Sequence, residues 1–130
     1  MHIVILVTAK DEAQSQRIAE KLVAEKLVAC ANIVPGIQSI FRWKGKVDRA
    51  KEVLLVLKSR RRHFPVIVKI VKAMHSYDVP EVIALPIVEG NKDYLNWLTE
   101  STTLLPREGA KRLAHLGGTE KSLKKIPRQG

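Results

Sequence analysis

Apolar and polar residues follow two rhythms along this chain, and the switches between them mark out its elements. His2–Ala9 is a β-branched apolar run and predicts a strand buried on both faces. From Asp11 the period changes. Ile18 and Leu22, with Ala19, Val23 and Leu27 beside them, recur at helical spacing, while Glu20, Lys21, Glu25 and Lys26 fall on the wet side. Asp11 is placed to cap this helix, with Gln14 three residues on in the capping-box position. Two long extended segments follow, at about 28–43 and 47–59. Lys44-Gly45-Lys46 between them reads as a tight hairpin turn, because glycine supplies the positive φ such turns need. Pro35-Gly36 interrupts the first segment and predicts a bulge or bend.

A second helix is predicted over 63–75, where Phe64, Ile67, Val68, Val71 and Met74 form an apolar stripe and Pro65 sits in the first turn. Tyr77-Asp78-Val79-Pro80 connects it to a strand over 81–88. Pro86 makes that strand bent or an edge. Asn91 can cap a last helix over 93–102 carrying Tyr94, Leu95, Trp97 and Leu98.

Strand, helix, strand, strand, helix, strand and a further helix make two βαβ units joined by a hairpin. This is the ferredoxin-like split pattern, an α+β fold with an antiparallel sheet and helices on one face. The other face is left for a partner sheet or a ligand. At roughly 3.3 Å per residue each hairpin arm approaches about 40 Å, about twice a typical strand. Its outer part carries Ile37, Ile40, Phe41 and Trp43, which one small domain cannot cover. The pattern therefore predicts an oligomer.

Composition changes the picture in one respect. The 130 residues suit one domain, and the single cysteine excludes an intramolecular disulfide framework. With no span-length apolar run and no leader-like start, a mature soluble protein is expected. The formal charge is +10, which suggests a polyanion partner. Yet residues 107–130 hold seven bases against two acids, a net of +5 and half the excess. Residues 1–106 thus read as the folded domain. Residues 107–130 read as a basic extension, with a short helix over 107–116 stopped by Gly117-Gly118 and a loose tail able to touch polyanions nonspecifically.

Five blocks carry a resemblance. They are 7–12 (VTAKDE), 27–36 (LVACANIVPG), 39–46 (SIFRWKGK), 52–58 (EVLLVLK) and 75–86 (HSYDVPEVIALP). In this order they resemble the CutA family of divalent-cation tolerance proteins, from about residue 3 to residue 102. The resemblance implies a ferredoxin-like subunit in a tight homotrimer held through the long hairpin, similar in architecture to PII signalling proteins. It further implies a cytoplasmic, non-enzymatic protein tied to tolerance of copper and other divalent metals.

Cys30 and His75 are the candidate metal ligands, since thiolate and imidazole suit copper or zinc. A cysteine in an apolar strand also packs as a small hydrophobe, and a histidine at a helix end also caps carbonyls. Copper-binding members of the resembled family use a first-strand cysteine and a histidine pair before a Pro-Tyr turn. Val7, Met74-His75 and Ser76 stand there in this chain, so the resemblance implies weak copper binding, through His75. Trp43, Lys58, His75, Tyr77 and Glu81 match the positions that line the family's intersubunit cleft. A lysine, a carboxylate and aromatic rings there suit a small anion or a metal complex, or an interface held by stacking and an ion pair. Arg60-Arg61-Arg62 before the second helix reads as a phosphate grip or a solvated run.

No Ser-His-Asp grouping, glycine-rich phosphate loop or P-loop is present in the sequence, so no turnover is expected. The alternative is a basic nucleic-acid module using the tail. An RNA-reading sheet of this topology would need stacking rings where residues 53–57 offer only valine and leucine.

Overall fold

The computed structural model describes residues 1–103. The readings for the extension beyond residue 106 lie outside them. Strand β1 (His2–Ala9) leads into helix α1 (Glu12–Ala24). Asp11 caps α1 by accepting the Gln14 backbone N–H at 2.8 Å, and the Gln14 side chain accepts the Lys10 N–H at 3.2 Å. The helix ends with Lys26 at φ 60°, which lets Leu27 donate back to the Leu22 carbonyl and Lys26 to that of Val23. This is a Schellman close with lysine in the position that usually takes glycine.

Strands β2 (Cys30–Trp43) and β3 (Lys46–Arg60) form the hairpin. Lys44 and Gly45 both take positive φ, 51° and 77°, giving the I′-type turn whose twist suits a two-residue hairpin. The pairing slips between Val34 and Ile37, where Pro35 cannot donate and Gly36 adopts φ 74°. A single 3-10 turn (Arg61–His63) precedes helix α2 (Phe64–Met74). Strand β4 (Val82–Pro86) and helix α3 (Lys92–Ser101) complete the order.

The four strands are antiparallel in the order β2-β3-β1-β4, the ferredoxin-like arrangement. Pro86 ends an edge strand, where a missing donor costs nothing in the ladder. β4 is shorter than the expected 81–88.

Side chains alternate between the two faces of the sheet. Ile3, Ile5 and Val7 of β1 and Leu55 and Leu57 of β3 point to one side, where they are buried against Ile18 and Leu22 of α1 and Ile67 and Val71 of α2. Val4, Leu6, Leu54 and Val56 point to the other side and are only half-buried, with Ile83 at 49% and Leu85 at 47% exposure beside them. β1 is thus not buried on both faces, as its apolar run predicted. Both main helices lie on one face, and in one chain the second face stays open.

β1 pairs with β3 only from Val53 onward. The distal part of the hairpin, 37–43 with 46–52, is therefore a two-stranded ribbon projecting past the sheet. Ile40, Phe41, Trp43 and Val47 are exposed on it. A ribbon of two strands is marginal by itself in water.

The triple arginine divides. Arg60 turns inward and donates to the Thr102 hydroxyl and carbonyl, both at 3.0 Å, while Arg61 and Arg62 stay exposed. His63 is buried, and its Nε2 donates to the same Thr102 carbonyl at 2.5 Å. Two side chains thus satisfy the carbonyl just past the end of α3. Burial pushes the His63 pKa below its ordinary 6.5, and the Arg60 and Arg62 charges push the same way, against the Thr102 bond. The unfolded chain therefore takes up a proton that the folded chain resists. Stability is expected to be complete above pH 6.5 and to fall as pH drops through and below it. His63→Gln is expected to flatten that part of a pH profile of urea unfolding.

Candidate functional site

At the root of the ribbon, between β3 and the connector after α2, lies an open cleft of about 740 Å³. Thr8 at the end of β1 forms its floor. Phe41, Trp43, Asp48, Arg49 and Glu52 come from the ribbon, and Tyr77, Asp78 and Glu81 from the connector. By strand alternation Thr8 and Glu52 belong to the open face of the sheet, with Leu54 and Val56.

His75 and Tyr77 build the connector's inner edge. The His75 Nε2 lies 2.6 Å from the Thr8 carbonyl, which can only accept, and the Tyr77 backbone N–H donates to Nδ1 at 3.1 Å. The ring is therefore the Nε2–H tautomer with both nitrogens engaged. His75 does not cap the last carbonyls of its own helix; it ties the connector to β1. The Tyr77 ring packs against it with centroids 4.5 Å apart. The Tyr77 hydroxyl donates to Glu52 Oε2 at 2.8 Å.

Tyr77 is pushed up to about 12, first by burial, then by its bond to Glu52 and the charges of Glu52 and Asp11. It stays a neutral donor at any ordinary pH. In an ultraviolet titration one of the two tyrosines is expected to ionise near 12, and Glu52→Gln is expected to bring that step down towards 10.0.

The sequence-predicted residues divide. Trp43, Tyr77 and Glu81 line the cleft, and His75 buttresses it. Lys58 does not line it. It sits further along the open face, where its ammonium donates to Asn32 Oδ1. Cys30 lies directly opposite Lys58 in the register and is buried, with its thiol 3.9 Å from the same Asn32 oxygen. It therefore packs on the open face and not in the core under the helices. Cys30 aligns with Val4 of β1 through Lys58, whereas His75 is bonded at Thr8, so the two candidate ligands are not brought together. Among the described residues no group of three histidine, cysteine or acidic side chains is placed to hold a metal ion. The donors present do not fit a bare transition-metal ion, since the imidazole has no spare nitrogen lone pair.

Sequence reasoning missed Glu52. A carboxylate beside Lys51 reads as one more solvated charge, yet it is 8% exposed. The signal for it was position, one residue before the apolar run of β3.

A family model described as CutA1 divalent ion tolerance protein matches residues 3–101. The chain belongs to this family. The CutA divalent-cation tolerance protein of Thermus thermophilus is 50% identical over 102 residues, 78% of this chain and 99% of that one. The solved structure of the Cut A1 protein of Thermus thermophilus superposes with a TM-score of 0.78, covering 79% of this chain and all of its own at 50% identity. The CutA of Archaeoglobus fulgidus, described as periplasmic, gives 0.77 at 42% identity, covering 79% of this chain and 100% of that one.

CutA1 membership carries a general role in divalent-metal tolerance, in a family without turnover, and the chain is not an enzyme. It does not carry a cytoplasmic location. The Archaeoglobus fulgidus CutA is named as periplasmic, which overturns that expectation. Nothing in a CutA1 fold with one free cysteine ties it chemically to one compartment. Among the described residues no helix is long and apolar enough to cross a membrane.

Proposed function

We propose that the chain acts as a homotrimer that senses a small ligand in the cleft at the ribbon root, in the manner of PII proteins, as its part in divalent-metal tolerance. The observation that carries this reading is the position of the cleft. Its walls are the ribbon and the edge of the open sheet face, the two surfaces one chain leaves uncovered. Whatever covers them also closes the cleft, so assembly and ligand binding share one surface. A second copy of the chain suits both, because the ribbon and the sheet face offer apolar area of matching character.

Light scattering behind size-exclusion chromatography is expected to give about three times the 14.6 kDa of the chain. A stable single-chain mass would overturn the reading. Copper contact through His75 is part of the same reading and is weak, because binding must displace either the Thr8 or the Tyr77 hydrogen bond. Calorimetry with Cu²⁺ is expected to show no submicromolar site in either the parent chain or His75→Ala. The nucleic-acid alternative gains no support from the sheet, whose open face presents Leu6, Leu54 and Val56 where stacking rings would stand.

A further inference from the structure

We propose that the outer face of α2, together with the point where the chain leaves the domain, docks the phosphate backbone of duplex nucleic acid. Neither the arginine run nor the basic extension has a part in the cleft, and the fold brings the two to one corner.

That corner lies at the end of the sheet away from the ribbon, where Arg60 pairs with His2. Arg60 holds Thr102 there through its hydroxyl and carbonyl, and His63 holds the same carbonyl. The chain therefore leaves the described domain at Thr103, beside Arg61 and Arg62. Residues 107–130, which lie past it, carry seven bases against two acids. They also lie past the family match, which stops at residue 101.

The described residues are basic in their own right. Beyond Arg61 the charge continues down the helix, where Arg62, Lys69 and Lys72 recur at helical spacing on the side opposite the buried Ile67 and Val71. All four cations are exposed, and none forms an ion pair among the described residues. No aspartate or glutamate occurs from residue 53 to residue 77. Glu100, in the last turn of α3, is exposed and pairs with none of them. Arg62 to Lys72 spans about 15 Å, a length over which a duplex carries roughly nine phosphate charges. Positive charge at the start of α2 opposes the helix dipole, so the run does not serve the stability of its own helix. Burial and then the Arg62 charge also lower the pKa of Arg60. A polyanion lying along the face relieves this repulsion. The face is on the helix side of the sheet, opposite the open side, so assembly through the open side leaves it exposed once in every protomer.

The other side chains select among polyanions. A helix that lies on a membrane presents an apolar stripe to the lipid. The stripe of α2 is already packed into the core, and Val66 is the one large apolar side chain exposed on this helix. Single strands are held by bases stacked on aromatic rings, and no aromatic ring is exposed on this face. Guanidinium and ammonium groups without rings suit a regular phosphate backbone, held without regard to sequence.

The test is fluorescence anisotropy of the full chain with a short labelled DNA duplex over a salt series. The matching single strand and phosphatidylserine vesicles serve as the other probes. The duplex is expected to bind, with log affinity falling linearly with log salt concentration. Arg61→Gln with Arg62→Gln, and separately Lys69→Gln with Lys72→Gln, are each expected to reduce that slope by about 2 and to weaken binding about tenfold at low salt. Lys44→Gln with Lys46→Gln removes the same charge at the exposed ribbon turn and is expected to change binding by less than about twofold. Equal weakening by the ribbon pair would overturn the proposal, because net charge alone would then govern binding. Duplex binding unchanged by either helix-face pair would overturn it too, since the surface would not include that pair. Tighter binding of the single strand, binding of the vesicles without the duplex, or binding of none of the three would each overturn the duplex assignment. The expected losses in a chain that scatters light as a single protomer would uphold this surface while refuting the trimer.

Discussion

Leu57→Ala is expected to lower the unfolding free energy by about 2–5 kcal/mol, the range for emptying a buried leucine site in a packed core. Leu57 is fully buried, on a central strand with neighbours on both sides, opposite Ile5 of β1 and Ala31 of β2. It faces the cluster formed with Ile18 and Leu22 of α1 and Ile67 and Val71 of α2. The strand cannot shift to fill the gap without breaking two ladders at once, so the cavity persists. Leu57→Met, which nearly conserves volume, is expected to cost less than about 1.5 kcal/mol. Urea unfolding of both variants at one protomer concentration checks this, since an assembling chain has a concentration-dependent stability. A loss below about 1 kcal/mol for Leu57→Ala would mean that the helices do not seal this face.

Much of this architecture was legible because local chemistry and global fold agree. Gly45 and Pro35-Gly36 announced the turn and the bulge through backbone constraints that hold wherever the chain goes. Asp11 and Gln14 announced the start of α1, and both make the expected bonds. The length of the hairpin showed that apolar residues would be left uncovered, and Ile40 and Trp43 are exposed. The cleft was less legible. Glu52 and Tyr77 stand 25 positions apart, and only the register of β3 against β1 and the path of the connector bring them together. Lys58 appeared to belong with them because the resembled family groups these positions in a cleft between subunits. Within one chain it lies six residues along β3 from Glu52, beyond reach of the same cavity. Even β1 misled in one respect. An unbroken apolar run does not say whether the second face is covered by the chain's own helices or left open, and here it is left open.

That open face makes the residue next to Leu57 a different kind of test. Val56 points away from the helices, aligned with Leu6 of β1, Ile83 of β4 beyond it, and Asn32 of β2. Val56→Glu places a charge at the centre of the face while leaving every helix-facing side chain untouched. In a lone chain the carboxylate stays in water and costs little. In a trimer that buries this face it would have to be desolvated without a partner, a penalty of several kcal/mol in each protomer. The expected result is therefore an intact far-ultraviolet dichroism spectrum with a mass reduced to 14.6 kDa. Val66→Glu, on the exposed side of α2, adds the same charge away from this face and is expected to leave the mass unchanged. If Val56→Glu kept the assembled mass, the shared surface would have to be the ribbon alone. If both valine variants dissociated, net charge and not location would govern assembly. Loss of mass in Val56→Glu only would tie assembly to the covering of the sheet face. The single-chain geometry leads to that outcome, because Val56 stands at the centre of the open face, between Leu6 of β1 and Asn32 of β2.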